Sequence, residues 1–249
     1  MKPGPGVPEM NDAKSTASPR VLSAMAADLY TRGPLLMRLL QRYRPFICPF
    51  ERLLPWVPAG ATVLDVGCGG GLFLALLSQI PGRLRLGLGF DSAAGAIEVA
   101  RAANPPRCRF EHVDVAAPWP AEPAEFDVVS IIDVMHHVPP AEQPGLIRTA
   151  SARVAPGGIL LYKDMCRRPA WRALANRAHD LLLARQWITY APVESVERWA
   201  AEAGLTLEHA SFHARFWYGH ELRIFRRIGP AGAGASAGRA GQAEACGTR

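Results

Sequence analysis

Residues 63–71 read Val63-Leu64-Asp65-Val66-Gly67-Cys68-Gly69-Gly70-Gly71, and the fold follows from this stretch. The run ATVLDV, Ala61–Val66, is apolar over the length of a buried strand, and Leu72–Gln79 opens a helix after it. Between them Gly67, Gly69 and Gly71 let the chain turn tightly and bring backbone close to a ligand. A glycine-rich loop between strand and helix serves several nucleotide folds, so its neighbours must discriminate. A dinucleotide fingerprint G-x-G-x-x-G beginning at Gly67 needs glycine or alanine at position 72, where the chain has Leu72. A P-loop needs Gly-Lys-Ser/Thr, which does not follow. Asp65 sets a negative charge beside the loop, a poor neighbour for pyrophosphate and a good one for a cationic amine.

Short apolar runs and amphipathic stretches alternate downstream. Strands are expected at 84–90, 109–113, Phe126–Ile132 (FDVVSII) and 159–162, with helices at 92–103 and 140–154 and a turn at Pro156-Gly157-Gly158. Ser92 is placed to cap its helix. Five β/α alternations predict an α/β, doubly wound parallel sheet with helices on both faces. Right-handed crossovers bring every strand's C-terminal end to one edge, where ligands bind. Asp91 closes the second strand and can hydrogen-bond a ribose diol. Asp114 ends the third, within reach of an adenine amino group. An amine, a ribose and an adenine without phosphate are the inventory of S-adenosylmethionine.

VLDVGCGGG, GFDS (89–92), Asp114, FDVVSIIDVMHHV (126–138) and RVAPGGILL (153–161) together resemble the class I S-adenosylmethionine-dependent methyltransferases over roughly residues 55–165. DVMHHV is similar to the segment after the fourth strand in quinone C-methyltransferase-like members. The run KDMCRRPAW…HDLLLARQWITY distantly looks like methyltransferases of aryl-polyene-type pathways. The resemblance implies a Rossmann-like, seven-stranded sheet, mostly parallel with an antiparallel last strand, plus helical caps. Residues 205–216 and 221–227 supply its two closing strands. It implies S-adenosyl-L-methionine as methyl donor and S-adenosyl-L-homocysteine as product. Asp65, Gly67, Gly69, Gly71, Asp91, Ser92, Asp114, Val115 and Asp133 are the cofactor-binding candidates. His136 and His137, at the end of the fourth strand, are the catalytic candidates, because histidine can take a proton near neutral pH.

The chain has 249 residues, and its 28 basic and 22 acidic groups give +6. Residues 1–58 carry +4, 59–166 carry −3, 167–228 carry +4 and the remainder +1. Only Lys2, Lys14 and Lys163 are lysines, and no basic run exceeds two residues, which argues against nucleic acid as the partner. The five cysteines form no CxxC pair, so neither a disulfide framework nor a structural zinc site is expected, and a reducing cytosol suits them. His209 and His213 share a strand face with no carboxylate cluster, so no metal is expected. No apolar run reaches the ~18 residues of a membrane span, and no signal-like apolar region opens the chain.

Residues 1–20 and the Gly/Ala tract 229–249 are expected to be disordered, leaving one methyltransferase domain at 21–228. Its caps, 21–55 and 167–192, bear aromatic residues and arginines over the acceptor side. The first contains an amphipathic helix at 35–44 with Arg38 and Arg42 on one face. Tyr30, Arg32, Arg38, Tyr43, Tyr162, Lys163, Asp164, His179, Arg185, Trp187 and Tyr190 are available to line an acceptor pocket. The acceptor expected is a small organic molecule, aromatic or carboxylated, free or presented on an acidic carrier, methylated on carbon or oxygen. Methylation of RNA or protein stands as an alternative, as does a non-catalytic subunit that keeps the cofactor pocket.

Overall fold

The computed structural model describes residues 18–114, 117–120, 122–165, 191–215 and 218–229. Two helices, α1 (Pro19–Leu29) and α2 (Leu35–Ile47), precede a short α3 (Phe50–Leu53). The sheet follows as β1 (Ala61–Val66), α4 (Leu72–Gln79), β2 (Leu84–Asp91), α5 (Ala94–Ala103), β3 (Cys108–His112), β4 (Phe126–Ile132), α6 (Gln143–Ala152) and β5 (Val154–Met165). Then come α7 (Val193–Glu202), β6 (Leu205–Arg215) and β7 (Tyr218–Arg227). The seven strands lie in the order β3-β2-β1-β4-β5-β7-β6. β1 through β5 pair in parallel, whereas β7 runs antiparallel between β5 and β6.

Every residue of β1 is buried because the strand sits at the centre with helices on both faces. The period-2 alternation sorts the faces. Val63, Val128, Ile159, Leu161, Leu222 and Ile224 pack with α1, α3 and α4, while Leu64, Val129, Ile131, Leu160, Tyr162 and Phe225 pack with α6 and α7. Asp65, Ser130, Lys163 and His220 therefore belong to the first face, and Asp164 to the second. This sorting decides which polar groups can meet at the ligand edge.

Several boundaries differ from the sequence reading. α1 begins at Pro19, inside the segment expected to be disordered, because Ser18 caps it and proline suits the first helical position. α5 begins at Ala94, and its N-cap is Ala93 rather than Ser92; the carboxylate of Asp91 accepts the Ala93 N–H at 2.8 Å instead. β3 starts and ends one residue earlier than expected. The expected helix at 140–154 is trimmed to Gln143–Ala152, with a 3-10 turn over Met135–His137 before it. Pro156-Gly157-Gly158 lies within β5, where the register against β4 shifts as Phe126 pairs with Val154 and Val128 with Ile159. The tract after Gly229, most of 167–192 and nearly all of 1–20 lie outside the described residues.

Candidate active site

The loop after β1 is held shut from three sides. Gly67, with φ +65°, lies so close to Val134 that a Cβ there would meet Cγ2 at 2.6 Å. Gly71, with φ +76°, occupies the N-cap of α4 under the Phe110 ring, where a Cβ would meet Cε1 at 2.6 Å. Gly69, also at positive φ, donates its N–H to Oδ2 of Asp91 at 2.8 Å. Both Asp91 oxygens thus already position backbone, and a carboxylate oxygen can accept a further donor beside each of these bonds. Cys68 fills space against Gly89.

Asp65 is buried, and Ser130, its register partner on β4, donates its hydroxyl at 2.7 Å. Burial pushes the Asp65 carboxyl up to about 7, against the opposing pull of Ser130 and Arg44. Asp114 lies exposed just beyond β3, beside Asp91, because Val113 continues the β2–β3 pairing by donating to the Asp91 carbonyl at 3.0 Å. Ser92 is exposed and presents its carbonyl to His112 at 2.9 Å. Val115 lies outside the described residues.

The first cap contributes groups that the motif reading did not include. The hydroxyl of Tyr30, at the C-cap of α1, donates to the Gly70 carbonyl at 2.7 Å, and burial raises its pKa, which keeps it a donor. Gln41 of α2 is buried against Gly70, and its Oε1 has no hydrogen-bond partner. Arg44 lies with Asp65, Gly67 and Cys68 around one small cavity and pairs with Asp133 at 3.5 Å. Arg44 and Gln41 sit three residues apart on a helix, which puts them on one face.

Asp133 has a left-handed backbone, φ +57°, uncommon for a residue other than glycine. Its carboxylate is engaged by the wholly buried Lys163 and by Arg44. Burial works against its charge, but Lys163 and Arg44 outweigh that and hold the carboxyl well below the usual range. Burial likewise opposes the Lys163 charge, and Asp133 more than compensates. Asp133 thus bridges two cations instead of standing open to a ligand. Lys163 and Tyr162, considered above as acceptor-pocket residues, are buried groups of the sheet.

On the opposite face His136 is buried, with Nδ1 2.5 Å from Oδ1 of Asp164, and its backbone N–H reaches Oδ2 at 3.2 Å. Asp164 also accepts from the Met165 N–H at 2.6 Å. Gln143 ties down the turn that carries the histidine by donating to the carbonyls of Met135 and Val138. His137 is exposed, its ring centroid 4.1 Å from that of His136. His209 and His213 lie elsewhere, both against the Ser211 hydroxyl. His179, Arg185, Trp187 and Tyr190 lie outside the described residues.

The chain as a whole is similar to known proteins in sequence and in fold. The ubiquinone biosynthesis O-methyltransferase of Leptothrix cholodnii is 29% identical over 160 residues, covering 60% of this chain and 66% of that protein. The corresponding protein of Albidiferax ferrireducens is 31% identical over 121 residues, 47% of this chain and 46% of that one. The matched region thus spans less than two thirds of either relative. An O-methyltransferase family protein from Burkholderia thailandensis superposes with a TM-score of 0.62 at 22% identity, covering 85% of this chain and 60% of that chain. Magnesium protoporphyrin IX methyltransferase from Synechocystis, solved with bound S-adenosylhomocysteine, gives 0.60 at 16% identity over 82% of this chain and 93% of that one. A family model described as a methyltransferase domain matches residues 39–210, and the chain belongs to that family.

Proposed function

We propose that this chain is an S-adenosylmethionine-dependent methyltransferase that methylates a hydroxyl oxygen of a small aromatic acceptor. The observation that carries the reading is the placement of Asp65, Asp91 and Asp114 at consecutive strand ends around the glycine loop. Asp65 would hold the ammonium of the donor, Asp91 the ribose diol and Asp114 the adenine. Arg44, beside Asp65, suits the donor's amino-acid carboxylate, and the orphan Oε1 of Gln41 can accept an N–H. Gly67 and Gly71 let the loop pack against Val134 and Phe110, and Gly69, with only the Arg44 guanidinium within 4 Å of where a Cβ would stand, leaves backbone bare for a ligand to approach. Asp133 acts in this reading through Arg44, whose position it fixes.

The bound donor supplies an electrophilic methyl group on a sulfonium centre. What the protein must add is alignment, exclusion of water and a place for the acceptor's proton. Asp164 fixes His136 with Nδ1–H toward the carboxylate, which orients Nε2 as the proton acceptor and steadies the imidazolium that forms. The His137 ring lies tilted beside it. Oxygen is the preferred methyl acceptor because the named relatives are O-methyltransferases. The net positive charge of residues 1–58 favours an acceptor bearing a carboxylate, free or carried on an acidic partner.

Titration calorimetry with S-adenosylhomocysteine and with NAD tests the donor. Binding of the former alone is expected, and binding of NAD alone would overturn the reading. Radiolabelled donor offered with catechols, phenolic acids and their carrier-bound forms, read by mass spectrometry, identifies the acceptor. Label on carbon instead of oxygen would overturn the O-methylation part.

A further inference from the structure

The second helix is mounted inside out. Three of its polar side chains face the protein: Gln41 is buried against Gly70, Arg38 Nε donates to the Tyr30 carbonyl at 3.0 Å, and Arg44 pairs with Asp133. Its apolar side chains face water. Leu35, Leu36, Leu40 and Tyr43 are 49–65% exposed, and Leu39 and Ile47 are also exposed. At ~100° per residue these six fall within an arc of roughly 140°, a continuous stripe along a helix about 20 Å long. A stripe of that extent marks a surface built to be covered.

The charge around it narrows what covers it. Residues 18–50 contain Arg20, Arg32, Arg38, Arg42 and Arg44 and a single acid, Asp28. Arg20, Arg32 and Arg42 are exposed, and Arg42 lies at the border of the stripe with its guanidinium 5.7 Å from the Tyr43 ring centroid. A second copy packed on the same stripe would bring two sets of arginines together with few acids to meet them. An anionic membrane surface answers both features, taking leucines into the acyl boundary while arginines reach lipid phosphates.

We infer that the outward face of α2 docks on an anionic lipid bilayer, with Leu35, Leu36, Leu39, Leu40, Tyr43 and Ile47 entering the interface and Arg32 and Arg42 pairing with headgroups. The inner face of the same helix lines the β1 loop through Gln41 and Arg44, so docking holds the ligand edge close to the bilayer, where apolar acceptors partition. This inference rests on the orientation of α2 and stands apart from the methyl-transfer reading.

The test is cosedimentation of the full chain with vesicles of phosphatidylcholine alone or with roughly one-third phosphatidylglycerol. Binding to the anionic vesicles is expected, at least about tenfold stronger than to neutral ones. Leu36→Glu/Leu40→Glu should abolish it, and Arg32→Glu/Arg42→Glu should weaken it about tenfold or more, both with an unchanged melting temperature. No binding by the unaltered chain, or binding indifferent to Leu36→Glu/Leu40→Glu, would overturn the inference. So would concentration-dependent dimerisation, without vesicle binding, that the leucine variant removes, because a second copy would then cover the stripe.

Discussion

Asp65 and Ser130 face each other across the β1–β4 pair, and the serine hydroxyl donates to the buried carboxyl at 2.7 Å. Serine is the one polar side chain between Val128 and Ile132, and it meets the one acid of β1. A hydrogen bond to a carboxylate favours its ionised form, so Ser130 works against the burial that lifts Asp65 to about 7.

Ligand binding should register this balance. A ligand ammonium prefers ionised Asp65, so S-adenosylhomocysteine should bind more weakly as pH falls below about 7, by roughly tenfold per unit. Ser130→Ala removes the opposing donor and should move the midpoint of that dependence upward by as much as about one unit. Calorimetry between pH 5.5 and 8 (about the span of the titration) reads both effects. A flat profile would mean that Asp65 does not meet the ammonium.

Stability without ligand should show the reverse sign. The folded-state pKa of Asp65 is raised above that of the unfolded chain, so its contribution is favourable below the unfolded value of ~3.9 and is lost as pH rises through about 7. Asp65→Asn cannot ionise. It should therefore be more stable than the parent at pH 8, by up to roughly 4 kcal/mol, and close to it at pH 4.5 or so, while losing ligand affinity. Thermal melts at the two pH values decide the point, and a gain that does not grow with pH would count against a buried, ionising Asp65.

The Asp133–Lys163 pair makes a separate prediction about folding. Lys163 is wholly buried, so its charge depends on the carboxylate of Asp133. Asparagine tolerates the left-handed backbone at this position, which keeps Asp133→Asn from straining the turn. The single variant should cost ~3–5 kcal/mol in urea unfolding by leaving a buried ammonium without its counter-ion. Asp133→Asn/Lys163→Met should recover most of that loss. Equal stability of the single and double variants would show that Lys163 is charge-compensated elsewhere.

The strands and the carboxylates on their ends were legible because central parallel strands are nearly unbroken apolar runs, so an acid at the end of one stands out. Asp65, Asp91 and the glycines fall in this class. Ser130 and Lys163 carried a fainter signal, as polar residues inside FDVVSII and LLYKDM, but only the register shows that Asp65 and Asp133 receive them. Arg44 and Gln41 were missed for a different reason. On an isolated amphipathic helix the apolar stripe is expected to face the core, whereas α2 turns its narrow polar side to the glycine loop, and nothing local to 35–47 distinguishes the two mountings. Ser92 is not the cap because the helix starts one residue later, with Ala93 in the N-cap position and its N–H held by the Asp91 carboxylate.

Two adjacent histidines at the end of β4 looked equivalent in sequence, and the structure separates them by face and partner. His136 is locked to Asp164 through both its ring and its backbone N–H, whereas His137 lies exposed beside it. If His136 takes the acceptor's proton, Asp164 holds the tautomer that leaves Nε2 facing the reaction. His136→Gln should then lower kcat by about 10²–10⁴-fold, leave the affinity for S-adenosylhomocysteine unchanged, and erase the acidic limb of the pH–rate profile. Asp164→Asn should lower kcat by a similar order while retaining fold, since an asparagine amide can turn its N–H₂ toward Nδ1 and favour the wrong tautomer. His137→Ala should cost far less. A purely architectural His136 would instead lose melting temperature in step with activity and keep the pH profile, and retention of turnover by His136→Ala/His137→Ala would remove both histidines from the chemistry.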